Sequence, residues 1–125
     1  MCTGGGIRAA LALGVDMACL GTLFIATEDS GVHDDQKRML VEADLADVVW
    51  TDAICGILGS FLRASLLEQG WTPTISHPWI PRAAPAFPAI EPWRMIFSGG
   101  HSSAGIAAVP SVADLVAELE RQFLG

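Results

Sequence analysis

The chain has 125 residues, 51% of them hydrophobic and 17% charged, with a formal net charge of −7. That balance argues against a nucleic-acid binder, because no basic stripe is present to replace phosphate counterions. A bilayer span is excluded as well, since no uncharged apolar run approaches the roughly 18 residues it needs. Mean hydropathy is +0.44 and the isoelectric point is near 4.6. Such a composition is apolar for a soluble domain of this size, so part of the surface is expected to lie against neighbours.

In chain order, Cys2 to Gly6 is a glycine-rich start and a helix is predicted near Ile7 to Leu13. Gly14 ends it, because glycine takes the left-handed conformation without penalty. Met17 to Leu20 is a short apolar run without alternation and reads as a parallel strand covered on both faces. Gly21 then allows close backbone approach to a ligand, and Thr22 adds a hydroxyl beside N–H groups that anions favour. A lone Gly-Thr pair also suits a plain βα turn. A second helix is expected from Asp34 to Asp44, with Asp34 and Asp35 at its positive end. Val48 to Trp50 is a short extended piece, and Gly59 or Ser60 is expected to start a third helix that runs through Glu68 and stops at Gly70.

Residues 72 to 92 hold every proline except Pro110, with Trp71 and Trp79 alongside, and read as an irregular loop. A helix near Ile90 to Phe97 leads into the turn Ser98-Gly99-Gly100-His101. The last helix follows Pro110, with Ser111 as N-cap and Asp114 three residues on, a capping-box-like pair. Val112, Leu115, Val116, Leu119 and Phe123 then make one apolar stripe. No internal repeat is visible.

The acidic clusters, Glu28 to Asp47 and Asp114 to Glu120, read as solvated helix faces. Cys2, Cys19 and Cys55 are odd in number and lack CxxC spacing, which fits a reducing cytoplasmic setting, with Cys19 expected to pack inside the strand. No secretory signal is expected at the N-terminus. His33, His77 and His101 lack metal-ligand spacing, so no metal site is expected. His33 reads as a surface or capping residue, and Arg63 and Arg94 as partners of nearby carboxylates.

Read together, these segments resemble the last barrel unit of the nitronate monooxygenase (2-nitropropane dioxygenase) family of FMN enzymes. Its members carry an Ala-Leu-Ala-Leu-Gly-Ala-Asp helix end, a short apolar strand, Gly-Thr-Arg-Phe, and Ala-Thr-x-Glu-Ser. Here these read Ala10 to Asp16, Met17 to Leu20, Gly21-Thr22-Leu23-Phe24, and Ala26-Thr27-Glu28-Asp29-Ser30. The likeness continues through His33 and Lys37, Trp50 to Gly56, Phe61-Leu62-Arg63, Trp93 to His101, and the closing helix from Pro110 to Val116. No single motif is specific; their order and spacing are.

The resemblance implies an α/β fold, the C-terminal fragment of an FMN-binding (β/α)8 TIM barrel, mostly helical as it stands. A complete barrel needs roughly 200 residues or more, so only the last strand and the helices after it are expected. Residues 1 to 30 would be the last βα unit with its phosphate turn, and residues 31 to 125 a helical extension carrying the proline-rich loop at 72 to 92. Met1 is then expected to be an internal methionine or a misplaced start, the alternative being a small protein that reuses the segment. Barrel-facing surfaces without partners are expected to drive association.

The implied activity is FMN-dependent oxidation of an alkyl nitronate by molecular oxygen, with the family's histidine base upstream of this chain and the fragment inactive alone. Gly21 and Thr22 would meet the FMN phosphate. Two departures matter. Leu23 replaces the usual Arg or Lys, leaving phosphate binding to backbone N–H groups. Gly5 and Gly6 either belong to the family's Gly-Gly-Ile phosphate grip with its turn deleted, or to a later turn, which the helix spacing favours. His101, which follows Ser98-Gly99-Gly100 where the family usually has Ser-Ala-Gly-Gln, either faces the cofactor cavity or only caps a turn. Competing readings are a flavin-dependent enoyl-acyl-carrier-protein reductase and a non-enzymatic interaction module.

Overall fold

Helix α1, Gly4–Ala12, starts at Thr3, whose hydroxyl accepts the Gly6 N–H at 3.0 Å. It ends as the glycine predicted: Gly14 has φ +94°, its N–H reaches Leu11 O at 3.0 Å, and the Val15 N–H reaches back to Ala10 O at 3.4 Å. These paired bonds form a Schellman cap, which satisfies carbonyls that a helix end otherwise leaves open. The computed structural model describes residues 2–54, 56–71 and 92–125. His77, Cys55 and the expected loop up to residue 91 lie outside the described residues.

The remaining helices are α2 (Gly21–Ile25), α3 (Asp34–Glu42), α4 (Arg63–Glu68), α5 (Pro92–Met95) and α6 (Val112–Leu124), with 3-10 turns at Leu45–Asp47 and His101–Gly105. Helix α3 stops at Glu42 rather than Asp44, because Asp44 caps the following turn by accepting from Ala46 N at 2.7 Å. Of the helix expected near Ile90 to Phe97, Pro92–Met95 is helical and Ile96 and Phe97 lie past its end, while residues 90 and 91 lie outside the described residues. Helix α6 begins at Ser111 as predicted, and Asp29 Oδ2 adds a second acceptor, for the Val112 N–H at 2.7 Å. On its stripe Leu115 and Leu119 are buried, whereas Val116 is exposed.

Among the described residues the sheet is one antiparallel pair, β1 (Val48–Thr51) with β2 (Gly59–Leu62), in the register Trp50 opposite Ser60. The helix expected from Gly59 therefore starts only at Arg63. Gly59 and Ser60 are weak helix formers, and the segment finds strand partners on both sides. On its second edge, Leu62 N donates to Phe97 O at 2.9 Å and Gly99 N to Ser60 O at 3.3 Å.

Met17 to Leu20 is not a strand: it has no regular structure, and no ladder partner for it exists among the described residues. Its burial alternates instead, Ala18 and Leu20 being half-buried while Met17 and Cys19 are exposed. Cys19 is thus a surface thiol rather than a packed one.

The main core joins Leu23 and Ala26 of the α2 region to Met39, Leu40, Leu62, Phe97, Ile106, Leu115 and Leu119. A second core gathers Ala53, Ile54, Leu66, Trp71 and Ile96 on the other side of the hairpin. Helix α6 lies on α1 at very close range. A Cβ on Gly4 would sit 2.1 Å from Leu119 O and 2.5 Å from Phe123 N, so only glycine fits there.

Candidate functional site

Gly21 and Thr22 occupy the first turn of α2, where backbone N–H groups have no carbonyl within the helix to receive them. Leu20 precedes them as N-cap without a side-chain hydrogen bond, and a Cβ added at Gly21 would meet nothing within 4 Å. Gly21 is exposed and Thr22 half-buried at this helix start. Leu23, one residue on, is 6% exposed and belongs to the main core. Its side chain points inward, so no cation stands at the position where the family resemblance implied one.

The Ser98–His101 turn is held against this helix start. Thr22 Oγ1 accepts the Gly100 N–H at 3.1 Å, which ties residues 78 positions apart. Gln36, buried on α3, donates its Nε2 to Ser98 O at 3.1 Å. Gly99 fits beneath the turn because a Cβ there would lie 2.7 Å from Leu62 Cδ2 and 3.1 Å from Leu40 Cδ2. His101 then opens the 3-10 turn with its ring stacked on Trp50, centroids 6.0 Å apart and planes 26° apart. In that turn the Ser103 hydroxyl is fully buried without a hydrogen-bond partner among the described residues.

Of the residues singled out from sequence, the fold brings Thr22, Gly100 and His101 into one unit. Gly5 and Gly6 stand apart from that unit's hydrogen bonds: they open α1, which packs on α6. Gln36 and Trp50 were not foreseen. Nothing in a charged helix marks one glutamine as buried, and the stacking of Trp50 on His101 depends on a pairing across 51 positions.

His33 is a cap, as expected: its Nδ1 accepts the Asp35 N–H at 3.3 Å and its ring stacks on Phe97. Lys37 donates to Glu28 O at 3.3 Å, and Arg63 donates to Ala46 O at 2.8 Å with Asp47 at 3.9 Å. No cluster of His, Cys, Asp and Glu suitable for a metal occurs among the described residues, and no helix there is long and apolar enough to cross a membrane. Two surface depressions have volumes of about 220 Å³, one under Met39, Leu62 and Arg63 and one beside Cys2, Ile106 and Leu119. Neither is lined by Gly21 or Thr22, and both fall short of the roughly 300 Å³ at which ligand pockets begin.

The same architecture recurs in TIM-barrel enzymes. A nitroalkane oxidase from Streptomyces ansochromogenes superposes with TM-score 0.72 at 28% identity, over 99% of this chain and 37% of that one. FabK from Thermotoga maritima gives 0.70 at 26% identity, over 99% of this chain and 42% of that one. The fold is thus consistent with a piece of that barrel, here partly helical with a small sheet. In sequence, a nitronate monooxygenase from Paraburkholderia phytofirmans is 33% identical over 96% of this chain and 35% of its own length. A (3aS,4S,5R,7aS)-5-hydroxy-7a-methyl-1-oxo-octahydro-1H-indene-4-carboxyl-CoA dehydrogenase from Mycobacterium tuberculosis is 38% identical over 66 residues, which are 53% of this chain and 19% of its own length. The chain spans about a third of the first of these relatives and a fifth of the second. The family model for nitronate monooxygenase matches residues 1–122. The chain belongs to the nitronate monooxygenase family, a family of flavin-dependent oxidoreductases.

Proposed function

We propose that the chain carries part of the FMN phosphate site of an enzyme that oxidises alkyl nitronates with molecular oxygen, and that the 125 residues alone do not turn over. The observation that carries this reading is the helix start at Gly21 and Thr22, exposed at Gly21 and without a side-chain cap, with the Thr22 hydroxyl tied to Gly100. The donor set fits a phosphate: two N–H groups at a helix start, no side chain above Gly21, and a hydroxyl hydrogen left to donate after Thr22 Oγ1 has accepted from Gly100. When bound, FMN would supply the electron transfer, while the protein orients it and excludes competing reactions.

In this reading Thr22 does double duty. Its amide receives the ligand, and its oxygen holds the turn that presents His101 beside Trp50. Of the two glycines named at the start of α1, Gly5 remains a candidate phosphate donor, whereas the Gly6 N–H is taken by Thr3 Oγ1; the base that takes the substrate proton comes from outside these residues. A positioned base and a ring pocket must come from several elements, because catalysis depends on preorganised groups meeting at one atom. Free thiols at Cys2 and Cys19 accord with a cytoplasmic setting.

The test combines flavin titration with oxygen consumption. FMN binding should be weak, lost in Gly21→Val, and unaccompanied by nitronate-dependent oxygen uptake above the free-FMN control. Turnover by the purified chain would overturn the inactivity, and a chain that shows no spectral change with FMN would favour a non-enzymatic module. The identity with the carboxyl-CoA dehydrogenase supports a second reading, in which the parent enzyme acts on an acyl thioester, like an enoyl-acyl-carrier-protein reductase. In a longer protein, steady-state assays with a nitronate and an enoyl thioester separate the two.

A further inference from the structure

His33 caps α3 through one nitrogen that has two neighbours of opposite demand. Its Nδ1 accepts the Asp35 N–H at 3.3 Å, and the same Nδ1 lies 3.2 Å from Asp35 Oδ2. A neutral nitrogen with its lone pair free takes the first contact and is repelled by the second. A protonated one takes only the second, because both nitrogens of the charged ring are donors. The two bonds exclude each other. We infer that His33 is a proton-operated clasp at the start of α3, which holds the Ser98–His101 turn while the ring is neutral and loosens it when the ring takes up a proton from water.

The connection to the turn runs through contacts on both sides of the ring. Gln36, in the helical turn that the cap closes, donates Nε2 to Ser98 O at 3.1 Å. The His33 ring itself stacks on Phe97, the residue before Ser98, with centroids 6.2 Å apart. Once the ring is protonated, the Asp35 N–H has no acceptor within the helix, and a positive charge stands where the helix dipole is already positive. The surrounding charges return little of that loss. On α3, Arg38 holds Asp35 Oδ1 at 3.2 Å, Lys37 is turned to Glu28 O, and Asp34 adds a second acidic group to the first turn. On the segment before α3, Asp29 Oδ2 is taken by the Val112 N–H, and across the ring Phe97 is uncharged, with Arg94 three residues before it. The remaining pair, His33 with Asp35 Oδ2, joins side chains 66% and 51% exposed, where solvent screens the attraction. Stacking on Phe97 is available to both states, so the ring keeps its place while Nδ1 changes partner.

Amide NMR on the full chain between pH 5 and 8, the range over which histidine changes charge, tests this. The Asp35 amide proton should shift in step with the His33 ring protons. Its protection against hydrogen exchange, corrected for the intrinsic pH dependence of exchange, should fall about fivefold from pH 8 to pH 5, the loss expected when a helix cap is removed. The Ser98 and Gly99 amides should shift in the same step. His33→Asn supplies a cap that does not titrate and should hold the Asp35 amide at its pH 8 protection throughout, whereas His101→Gln, which removes the histidine of the turn itself, should leave the Asp35 step in place. An Asp35 amide that ignores His33, a step that survives in His33→Asn, or a step confined to Asp35 with Ser98 and Gly99 unmoved would each overturn the inference.

Discussion

Gly4 shows how much a missing side chain can carry. Its amide donates to Gln122 Oε1 at 2.9 Å, and its bare Cα lets the α6 backbone approach closely. Gly4→Ala must push α1 and α6 apart. A loss of about 2 kcal/mol follows from overpacking of this kind, and it should be read as a fall in the thermal midpoint. Gly5→Ala is the control, because nothing lies within 4 Å of the added carbon; it should leave the midpoint unchanged or higher. At Glu118 the effect is electrostatic. Hydrogen bonds from Arg121 and Gln122 hold its carboxyl at about 2, below its ordinary 4.5. A carboxyl depressed in the folded state contributes stability that is complete above its unfolded value and lost as pH falls towards 2. The group is on the surface and its pair is screened, so the contribution is small. Glu118→Gln should lower the melting temperature slightly at pH 7, and that difference should vanish on acidification between pH 4.5 and 2.

Turns and helix ends hold the elements in place more than regular pairing does. Ser65 Oγ donates to Leu62 O at 2.8 Å and accepts the Phe97 N–H at 3.0 Å, and the residue is fully buried. It joins the start of α4 to the segment that leads into the Ser98–His101 turn. Ser65→Ala should cost on the order of 1–3 kcal/mol, since it strands a buried amide; urea unfolding would report it. Thr22→Val removes the acceptor for Gly100 N–H and should cost about 1 kcal/mol. Its clearest sign would be local: faster hydrogen exchange at the Gly100 amide, with protection restored by Thr22→Ser. Loss of protection throughout the core would show instead that Thr22 supports the whole fold.

At the scale of the whole molecule, one core unites the start of α2 with elements far along the chain. Leu23 and Ala26 pack with Met39, Leu62, Phe97 and Leu115, so the Gly21-Thr22 helix start rests on the hairpin and on α6. What could be read from the chain alone was local. Gly14 as a left-handed stop, Ser111 as the start of α6, His33 as a cap and the acidic start of α3 each rest on interactions within a few residues, and side-chain chemistry decides those. The order of motifs also pointed to the nitronate monooxygenase family, which the match over residues 1–122 bears out. Tertiary structure alone decided the rest. Met17 to Leu20 has the composition of a strand but no strand neighbour among the described residues, whereas Gly59 to Leu62 has weak local preference and becomes a strand because Val48–Thr51 and Phe97–Gly99 flank it. Strand formation is settled by partners distant in sequence, and so is a site: Thr22 meets Gly100, and Trp50 meets His101, only after the chain has packed.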